Sequence, residues 1–151
     1  SLQSGNKYSV SCKKKFPDEN IIIVCADIED QIMGLQAKDR KDFMLESGIK
    51  STGLDNLIKT GYKALGLSTF FTSGPEESRA WTIEKKSKAM DAAGVIHTDF
   101  KKKFIRAETV TCEDFIKYKG FNECKNAGKL RLEGKDYLVN DGDVMYFRVG
   151  S

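Results

Sequence analysis

Histidine, tryptophan and proline are scarce in this chain of 151 residues, which has one histidine (His97), one tryptophan (Trp81) and two prolines. A catalytic set built on histidine would have to use His97, because no other imidazole is present. The segment from His97 to Asp99 does put an imidazole near a carboxylate. We expect this segment to be extended, which is poor geometry for a proton relay. His97 is therefore interpreted as a structural or ligand-facing residue.

Several catalytic and nucleotide-binding motifs are absent from the sequence. It contains no GxxxxGK[ST] run, so the chain offers no loop to cradle nucleotide phosphates, and it contains no GxSxG run. Asp141 and Asp143 could be imagined as paired carboxylates, but Asp-Gly-Asp before a strand is more economically a turn. We predict no catalytic residue, no metal site and no cofactor in this chain by itself.

Cysteines are few and long apolar runs are missing. The four cysteines show no CxxC pairing and have no histidines nearby: Cys12, Cys25, Cys112 and Cys124. The longest apolar run, residues 21–26, has the length of a strand, and no secretory signal pattern is seen. We therefore expect reduced, structural or incidental cysteines, a cytoplasmic location and no membrane partner.

Positive charge is clustered rather than abundant. The formal net charge is only +3, but lysines group at residues 13–15, at 85, 86 and 88, and at 101–103. Such blocks can meet phosphate even when the total charge is near neutral. The alternative is that each cluster is solvated lysine on a surface loop.

The stretch from Arg79 to Glu108 holds the only tryptophan and the only histidine. Its pattern predicts a strand at 80–84, a helix at 88–93 ended by Gly94, and a second strand at 104–110. The segment 96–103 between them is too polar for a core and is predicted to be a loop. A rigid module that displays such a loop is more typical of binding than of catalysis.

The N-terminal part is predicted to hold one strand and several helices. Residues 21–24 are four consecutive β-branched residues, which suit a strand buried on both faces of a parallel sheet. A helix is predicted next with Asp27 as its N-cap, and a second one at 38–45 closed by Gly48. A third follows residues 51–53, and its apolar side is expected to pack into a local core: Leu54, Leu57, Ile58, Ala64 and Leu65.

The C-terminal part is predicted to be rich in strands. A hairpin is expected at 68–73 and 78–84, short helices at 112–118 and 121–127, and strands at 129–133, 137–140 and 144–149. Several strands around one main helix indicate an α+β fold with a β-grasp, or ubiquitin-like, architecture.

Five runs of sequence resemble the C-terminal part of the YchF/Obg-like ATPase family, and the resemblance extends from about Asn20 to the end of the chain. They are FFTSGPEE (70–77), RAWTI (79–83), AAGVIHTDF (92–100), FIRAE (104–108) and AGKLRLEGKDYLVNDGDVMYF (127–147). The resemblance implies a β-grasp TGS domain at 67–151. It also implies that residues 1–66 are a C-terminal remnant, a strand plus helices, of an α/β P-loop nucleotide-binding domain.

The family resemblance also implies a function and a set of site residues. The complete protein is expected to bind ATP, or GTP, with magnesium, to hydrolyse it slowly, and to associate with the ribosome or RNA. Cys25 and Ala26 look like the loop that contacts the purine edge. The candidate RNA or partner surface carried over from the family is Arg79, His97, Thr98, Asp99, Phe100 and Arg106, and the lysine clusters add Lys85, Lys86, Lys101, Lys102 and Lys103.

This sequence departs from the family pattern at several positions. Lys86 and Met90 stand where glycine and proline are usual, and Lys101 and Lys103 replace an acid and a glycine. These changes make the surface more basic, which favours a phosphate-bearing partner.

Two hypotheses follow for the chain itself. In the first, it binds ribosomal or transfer RNA through phosphate contacts, with Phe100 or His97 stacking on an unpaired base, and regulates the parent ATPase. In the alternative, it is a docking module for the parent's own ATPase domain or for other proteins, with no nucleic-acid contact. The second hypothesis requires partly exposed aromatic side chains, namely Trp81, Phe70 and Phe71.

Overall fold

The computed structural model describes residues 6–150 of the chain. The chain divides into two compact units, Ser1–Leu65 and Gly66–Ser151.

The described part of the first unit contains four helices: α1 (Lys7–Lys15), α2 (Ala26–Gly34), α3 (Ala37–Glu46) and α4 (Gly53–Ala64). α1 and α4 begin at capping boxes, in which Asn6 and Thr52 accept backbone N–H groups of the first turn. Gly48 has a positive φ of 67° two residues after α3, as predicted for the residue that closes this helix.

The strand predicted at 21–24 is not formed. These residues are neither helix nor strand in the structure, and Val24 is 53% exposed. A strand needs a neighbour for its backbone hydrogen bonds, and the described part of this unit contains no other strand. The predicted N-cap is also wrong, because the N-cap is Cys25, two residues before Asp27, and α2 begins at Ala26. Asp27 lies in the first turn, where its charge favours the helix dipole.

The apolar side predicted for α4 is not packed into a core. Leu54, Leu57 and Ile58 are each at least half exposed, and Leu65 is 72% exposed. Within the described residues of this unit, Ile32 is the one large apolar side chain that is fully buried. The helix itself is confirmed, but its apolar stripe remains on the surface.

The second unit is a mixed α+β fold with a five-stranded sheet. Its strands are β1 (Leu67–Ser73), β2 (Ser78–Glu84), β3 (Phe104–Thr111), β4 (Arg131–Glu133) and β5 (Asp143–Val149). Its helices are α5 (Ala89–Ile96), α6 (Thr98–Lys102), α7 (Cys112–Tyr118) and α8 (Phe121–Asn126). The strand order is β2-β1-β5-β3-β4, with β1 and β5 parallel and every other neighbouring pair antiparallel.

One face of the sheet packs against α5 in the main core. Ala89, Ala92 and Ala93 are fully buried on one side of α5, where small side chains let the helix approach the sheet closely. The sheet contributes Phe70 and Met145, both fully buried, together with Ile83, Ala107 and Phe147. The alternation predicted for β2 is confirmed, because Ile83 is buried between exposed residues.

The opposite face of the sheet is covered at one end only. Val110 and Val144 pack there with Cys124 in a second cluster, against Phe115 and Phe121 of α7 and α8. Thr111 caps α7 by accepting the Asp114 N–H, and Gly128, two residues after α8, has a φ of 68°.

Two predicted element ends differ from the structure. α5 does not end at Gly94 but continues to Ile96. The glycine leaves room for the Lys101 side chain, since a Cβ at Gly94 would lie 3.2 Å from Lys101 Cβ. Residues 137–140 form no strand. Val139 N–H donates to Ser87 O and Leu138 forms an isolated bridge with Lys88, so this segment pairs with the approach to α5 rather than with the sheet.

All four cysteines are free. Cys124 is fully buried, and burial raises the pKa of its thiol. A buried thiol held in its neutral form is unreactive, which agrees with a structural role for this residue.

Candidate nucleic-acid interface

The predicted loop after α5 is a short helix, and His97 is its N-cap. Residues Thr98–Lys102 form α6, and His97 Nδ1 accepts a hydrogen bond of 3.1 Å from the Asp99 N–H. An accepting Nδ1 places the imidazole proton on Nε2, so His97 does not donate from Nδ1 to the Asp99 carboxylate 3.8 Å away. The prediction that residues 97–99 are extended is wrong. A proton relay from His97 to Asp99 is nevertheless absent, because Nδ1 is occupied by the Asp99 N–H. His97 has a structural, helix-capping role.

Two lysines of the basic clusters form ion pairs with acidic residues of the same chain. Lys101 Nζ lies 2.8 Å from Asp91 Oδ1, and its side chain runs along Gly94. Lys88 Nζ lies 2.7 Å from Asp136 Oδ1. These side chains hold α6 and the 134–140 segment against α5, and they are less available to an outside phosphate.

Lys102, Lys103 and Arg106 are exposed, and none has an acid within ion-pair distance among residues 6–150. They lie at the end of α6 and the beginning of β3. The Gly150 N–H donates to Lys103 O, which fixes the end of β5 beside them. The basic end, defined here as Lys102, Lys103, Arg106 and Arg148, is therefore assembled from α6, β3 and β5.

Arg148 joins the basic end through the register of the sheet. Arg106 and Arg148 are Cα partners across β3 and β5. The next pair, Ala107 and Phe147, lies in the core under α5, so the two arginines point to the other face. Arg148 Nε donates to Glu108 Oε1 at 2.9 Å, and its guanidinium lies 4.5 Å from the ring centre of Tyr146. Hydrogen bonding to Glu108 raises the pKa of Arg148.

Lys85 and Lys86 lie at the other end of the sheet. They follow Glu84, which pairs with Leu67 at the start of β1. Because β1 is parallel to β5, this end is opposite to Gly150 and Lys103. Lys85 and Lys86 therefore do not lie beside the basic segment 97–104.

Arg79 is also separate from the basic end. It lies on the edge strand β2, on the face that carries Trp81, and its guanidinium is 4.4 Å from the centre of the indole ring. Arg106 points from the opposite face of the sheet. The structure thus brings together Lys102, Lys103 and Arg106, but not Arg79, Lys85 or Lys86.

The aromatic residues that were candidates for base stacking are mostly packed into the core of the second unit. Phe100 is half-buried and packs against the main core, with its ring centre 6.1 Å from that of His97. Phe70 is fully buried, and Trp81 is half-buried with its Nε1 donating to Thr72 Oγ1 at 2.9 Å. Thr98 and Asp99 are exposed in the first turn of α6.

Cys25 and Ala26, the predicted purine-edge loop, lie in the first unit at the start of α2. The Cys25 carbonyl accepts the N–H groups of Ile28 and Glu29. Cys25 also lines a cleft of about 440 Å³, together with residues of the 21–23 segment and of α4. Across residues 6–150 no cluster of three or more His, Cys, Asp or Glu is placed to hold a metal.

Sequence analysis missed Arg148 and Tyr146. The run from Val144 to Val149 alternates, so the sequence does indicate that Tyr146 and Arg148 share one face. It does not indicate that Arg106 is the partner of Arg148, because cross-strand register depends on the fold.

The YchF-GTPase_C family, described as a protein of unknown function (DUF933), matches residues 67–150. The chain belongs to the YchF-GTPase_C family. The resemblance found in the sequence is thereby confirmed.

The chain is similar to part of several longer proteins. It is 49% identical over 147 residues to the ribosome-binding ATPase YchF of Bacillus subtilis, covering 96% of this chain and 40% of that protein. It is 42% identical over 151 residues to Obg-like ATPase 1 of Pongo abelii, covering 97% of this chain and 38% of that protein. The solved structure of the Schizosaccharomyces pombe YchF GTPase matches with a TM-score of 0.80 at 36% identity, covering 97% of this chain and 40% of that chain.

The chain spans about two fifths of the length of these relatives. In the part that the structure describes, none of the helices is long and apolar enough to span a membrane.

Proposed function

We propose that this YchF-GTPase_C chain is the RNA-contacting, ribosome-directed end of a cytoplasmic YchF/Obg-like ATP- or GTP-binding protein. The observation that carries the proposal is the basic end, where three of the four cations, Lys102, Lys103 and Arg106, have no acid partner among residues 6–150. Unpaired cations that are held close together gain free energy by neutralising phosphates and releasing counterions. The ribosome-binding name of the Bacillus subtilis relative agrees with this partner.

We also propose that residues 67–151 are a TGS domain of β-grasp architecture. The strand order β2-β1-β5-β3-β4, the parallel central pair and the crossing of α5 over one face support this assignment. Such a small rigid sheet can present its basic end without any change of shape.

Nucleotide hydrolysis is proposed only for a longer protein of the kind that the chain matches. The chain has no phosphate loop, so its residues do not fit the triphosphate or its magnesium ion. The cleft beside Cys25 and Ala26 has polar side chains from Ser51 and Asn56, and it could receive the edge of a purine base. Regulation of the ATPase by RNA contact belongs to the same proposal.

The proposal is tested by a salt-series titration of the chain with ribosomal RNA, read by fluorescence anisotropy. The key variant is Lys102→Ala/Lys103→Ala, which leaves the Lys101–Asp91 ion pair intact. Lys125→Ala/Lys129→Ala is the matched control, since both lysines are exposed in the same unit.

We expect steep loss of affinity with salt for the wild type. The key variant should flatten the slope of log affinity against log salt by about 1.5, because each phosphate contact contributes roughly 0.7 to 0.9. The control should match the wild type. Binding that does not change with salt, or an equal loss in both variants, would show that the basic end is not the contact.

A docking role without nucleic acid is the second candidate. Leu54, Leu57 and Ile58 form an exposed apolar stripe at helical spacing on α4. The stripe suits the parent's own ATPase domain or another protein, whereas Phe70 in the sheet is buried and unavailable. Ribosome association that survives Lys102→Ala/Lys103→Ala but is lost in Leu54→Ser/Ile58→Ser would favour this candidate.

A further inference from the structure

Within the second unit, part of the sheet face opposite α5 is not covered by any of the helices that the structure describes there. α7 and α8 cover this face around Val110 and Val144, and Phe121 of α8 reaches the ring of Tyr146. Beyond them, Tyr146 is 42% exposed, Leu132 is 61% exposed, and Arg106 and Arg148 are both exposed. The open face, defined here as Arg106, Leu132, Tyr146 and Arg148, is continuous with the basic end because the two arginines belong to both.

Two like charges lie directly opposite each other on this face. Directly paired residues on one face of an antiparallel pair have Cβ atoms about 5 Å apart, and like charges in such a pair repel each other. Glu108 neutralises Arg148 only. Arg106 has no acid within ion-pair distance among the described residues, so the pair retains one uncompensated positive charge. An anionic ligand over the pair would remove the repulsion.

An aromatic platform adjoins the two arginines. The Arg148 guanidinium lies over the Tyr146 ring at 4.5 Å, and the edge of Phe121 supports the ring with centroids 6.3 Å apart. A ring held by neighbours on a strand loses little freedom when a base stacks on it. Guanidinium planes and tyrosine rings are both surfaces on which unpaired bases stack.

We propose that the open face binds an unpaired RNA strand, with phosphates at Arg106 and Arg148 and a base stacked on the Tyr146–Arg148 platform. This inference rests on the proposed function and specifies its ligand as single-stranded. Base faces inside a duplex are covered by their neighbours, so a duplex could use the arginines but not the platform. Tyr146 takes the base-stacking role that was predicted for Phe100 or His97, since the Phe100 ring packs against the core.

The test compares two labelled RNA probes by fluorescence anisotropy. One is an unstructured ten-nucleotide strand, and the other is a blunt hairpin of equal charge whose stem is closed by a non-nucleotide linker, so that it has no unpaired base. The chain is used as wild type, Tyr146→Ala, Tyr146→Phe and Arg106→Gln/Arg148→Gln. Tyr8→Ala is the matched control, because Tyr8 is an exposed tyrosine on α1. Circular dichroism melts establish that each variant is folded.

The expected result is a loss of about five- to a hundredfold in single-strand affinity for Tyr146→Ala, and near-normal binding for Tyr146→Phe and Tyr8→Ala. Arg106→Gln/Arg148→Gln should flatten the salt slope by about 1.4, at about 0.7 per contact with a single strand. The hairpin should bind more weakly, and Tyr146→Ala should not change its affinity. Photo-crosslinks from the single strand should map to residues 144–149.

Two results would overturn the inference in different ways. If both Tyr146→Ala and Arg106→Gln/Arg148→Gln bind like the wild type while Lys102→Ala/Lys103→Ala loses affinity, the proposed function stands and the open face is not the site. If the wild type binds neither probe nor ribosomal RNA, the proposed function and this inference both fail.

Discussion

The hydroxyl of Tyr137 donates a 2.7 Å hydrogen bond to the carboxylate of Asp143, which is only 2% exposed at the start of β5. The same carboxylate accepts from Arg131 Nη2 at 3.0 Å and from the Asn140 N–H at 2.9 Å. One buried acid thus joins β4, β5 and the connecting segment. The Asp-Gly-Asp turn predicted from sequence is present, and its second acid is a structural anchor rather than a catalytic group.

Asp143→Ala should lower the free energy of unfolding by about 3 kcal/mol, because it leaves the Arg131 guanidinium and two other donors without their buried partner. Urea unfolding followed by the fluorescence of Trp81, the only tryptophan, measures this in the second unit. Asp136→Ala is the control, since Asp136 pairs with Lys88 while 65% of its side chain is exposed. Its loss should be much smaller, and equal losses would contradict the anchor role.

Stability should also depend on pH through Tyr137. Burial, then the hydrogen bond and negative charge of Asp143, raises the pKa of Tyr137 from 10.0 to about 12. The folded state therefore favours the neutral phenol, and this contribution is complete below pH 10 and is lost as the pH rises towards 12. The difference in unfolding free energy between wild type and Tyr137→Phe should shrink over that window. A difference that stays constant from pH 9 to 12 would refute the coupling.

Sequence patterns predicted the strands in which buried and exposed residues alternate. They did not predict features that depend on residues far away in the sequence. In β2, Trp81 and Ile83 alternate with exposed residues, and the local sequence was enough to predict this. Residues 21–24 have the composition of a buried strand, but composition supplies no neighbouring strand. The polarity of 98–102 resembles a loop because α6 is short and mostly exposed, and its His97 cap is not a usual N-cap residue.

The candidate site was predictable only where charge is clustered along the chain. Lys102 and Lys103 stand out in the sequence, and Arg106 was carried over from the family. The pairing of Arg106 with Arg148 was not predictable, because a bulge between Phe104 and Arg106 sets which β3 residues share the face of Arg148. The family resemblance could not separate the two ends of the sheet, since that depends on the parallel pairing of β1 with β5.

Thr109→Val should raise the free energy of unfolding by about 1 kcal/mol. Thr109 is fully buried beside Met145, and its Oγ1 has no hydrogen-bond partner among the described residues. Valine keeps the branched shape and removes a hydroxyl that is buried without a partner.

The matched control for this change is Thr111→Val in the same strand. Thr111 Oγ1 accepts the Asp114 N–H at 3.1 Å and caps α7, so its removal should cost about 1 kcal/mol. Thermal unfolding of both variants gives the comparison. If Thr109→Val lowers the melting temperature as Thr111→Val does, the Thr109 hydroxyl is satisfied in solution.

Lys86→Gly should stabilise the second unit without weakening RNA binding. Lys86 has a φ of 66°, a left-handed conformation that costs an L-residue about 1–2 kcal/mol and costs glycine almost nothing. Glycine loses more backbone freedom on folding, so the net gain should be about 1 kcal/mol or less.

The neighbouring Lys85→Gly is the matched control, because Lys85 lacks a positive φ and its N–H donates to Gly66 O. Lys85→Gly should therefore be destabilising, while both variants remove one charge from the same end of the sheet. Both should bind ribosomal RNA like the wild type, because that end is opposite to Lys103 and Arg106. A loss of affinity in both variants would mean that RNA reaches across the whole sheet, and the contact surface would then include Lys85 and Lys86.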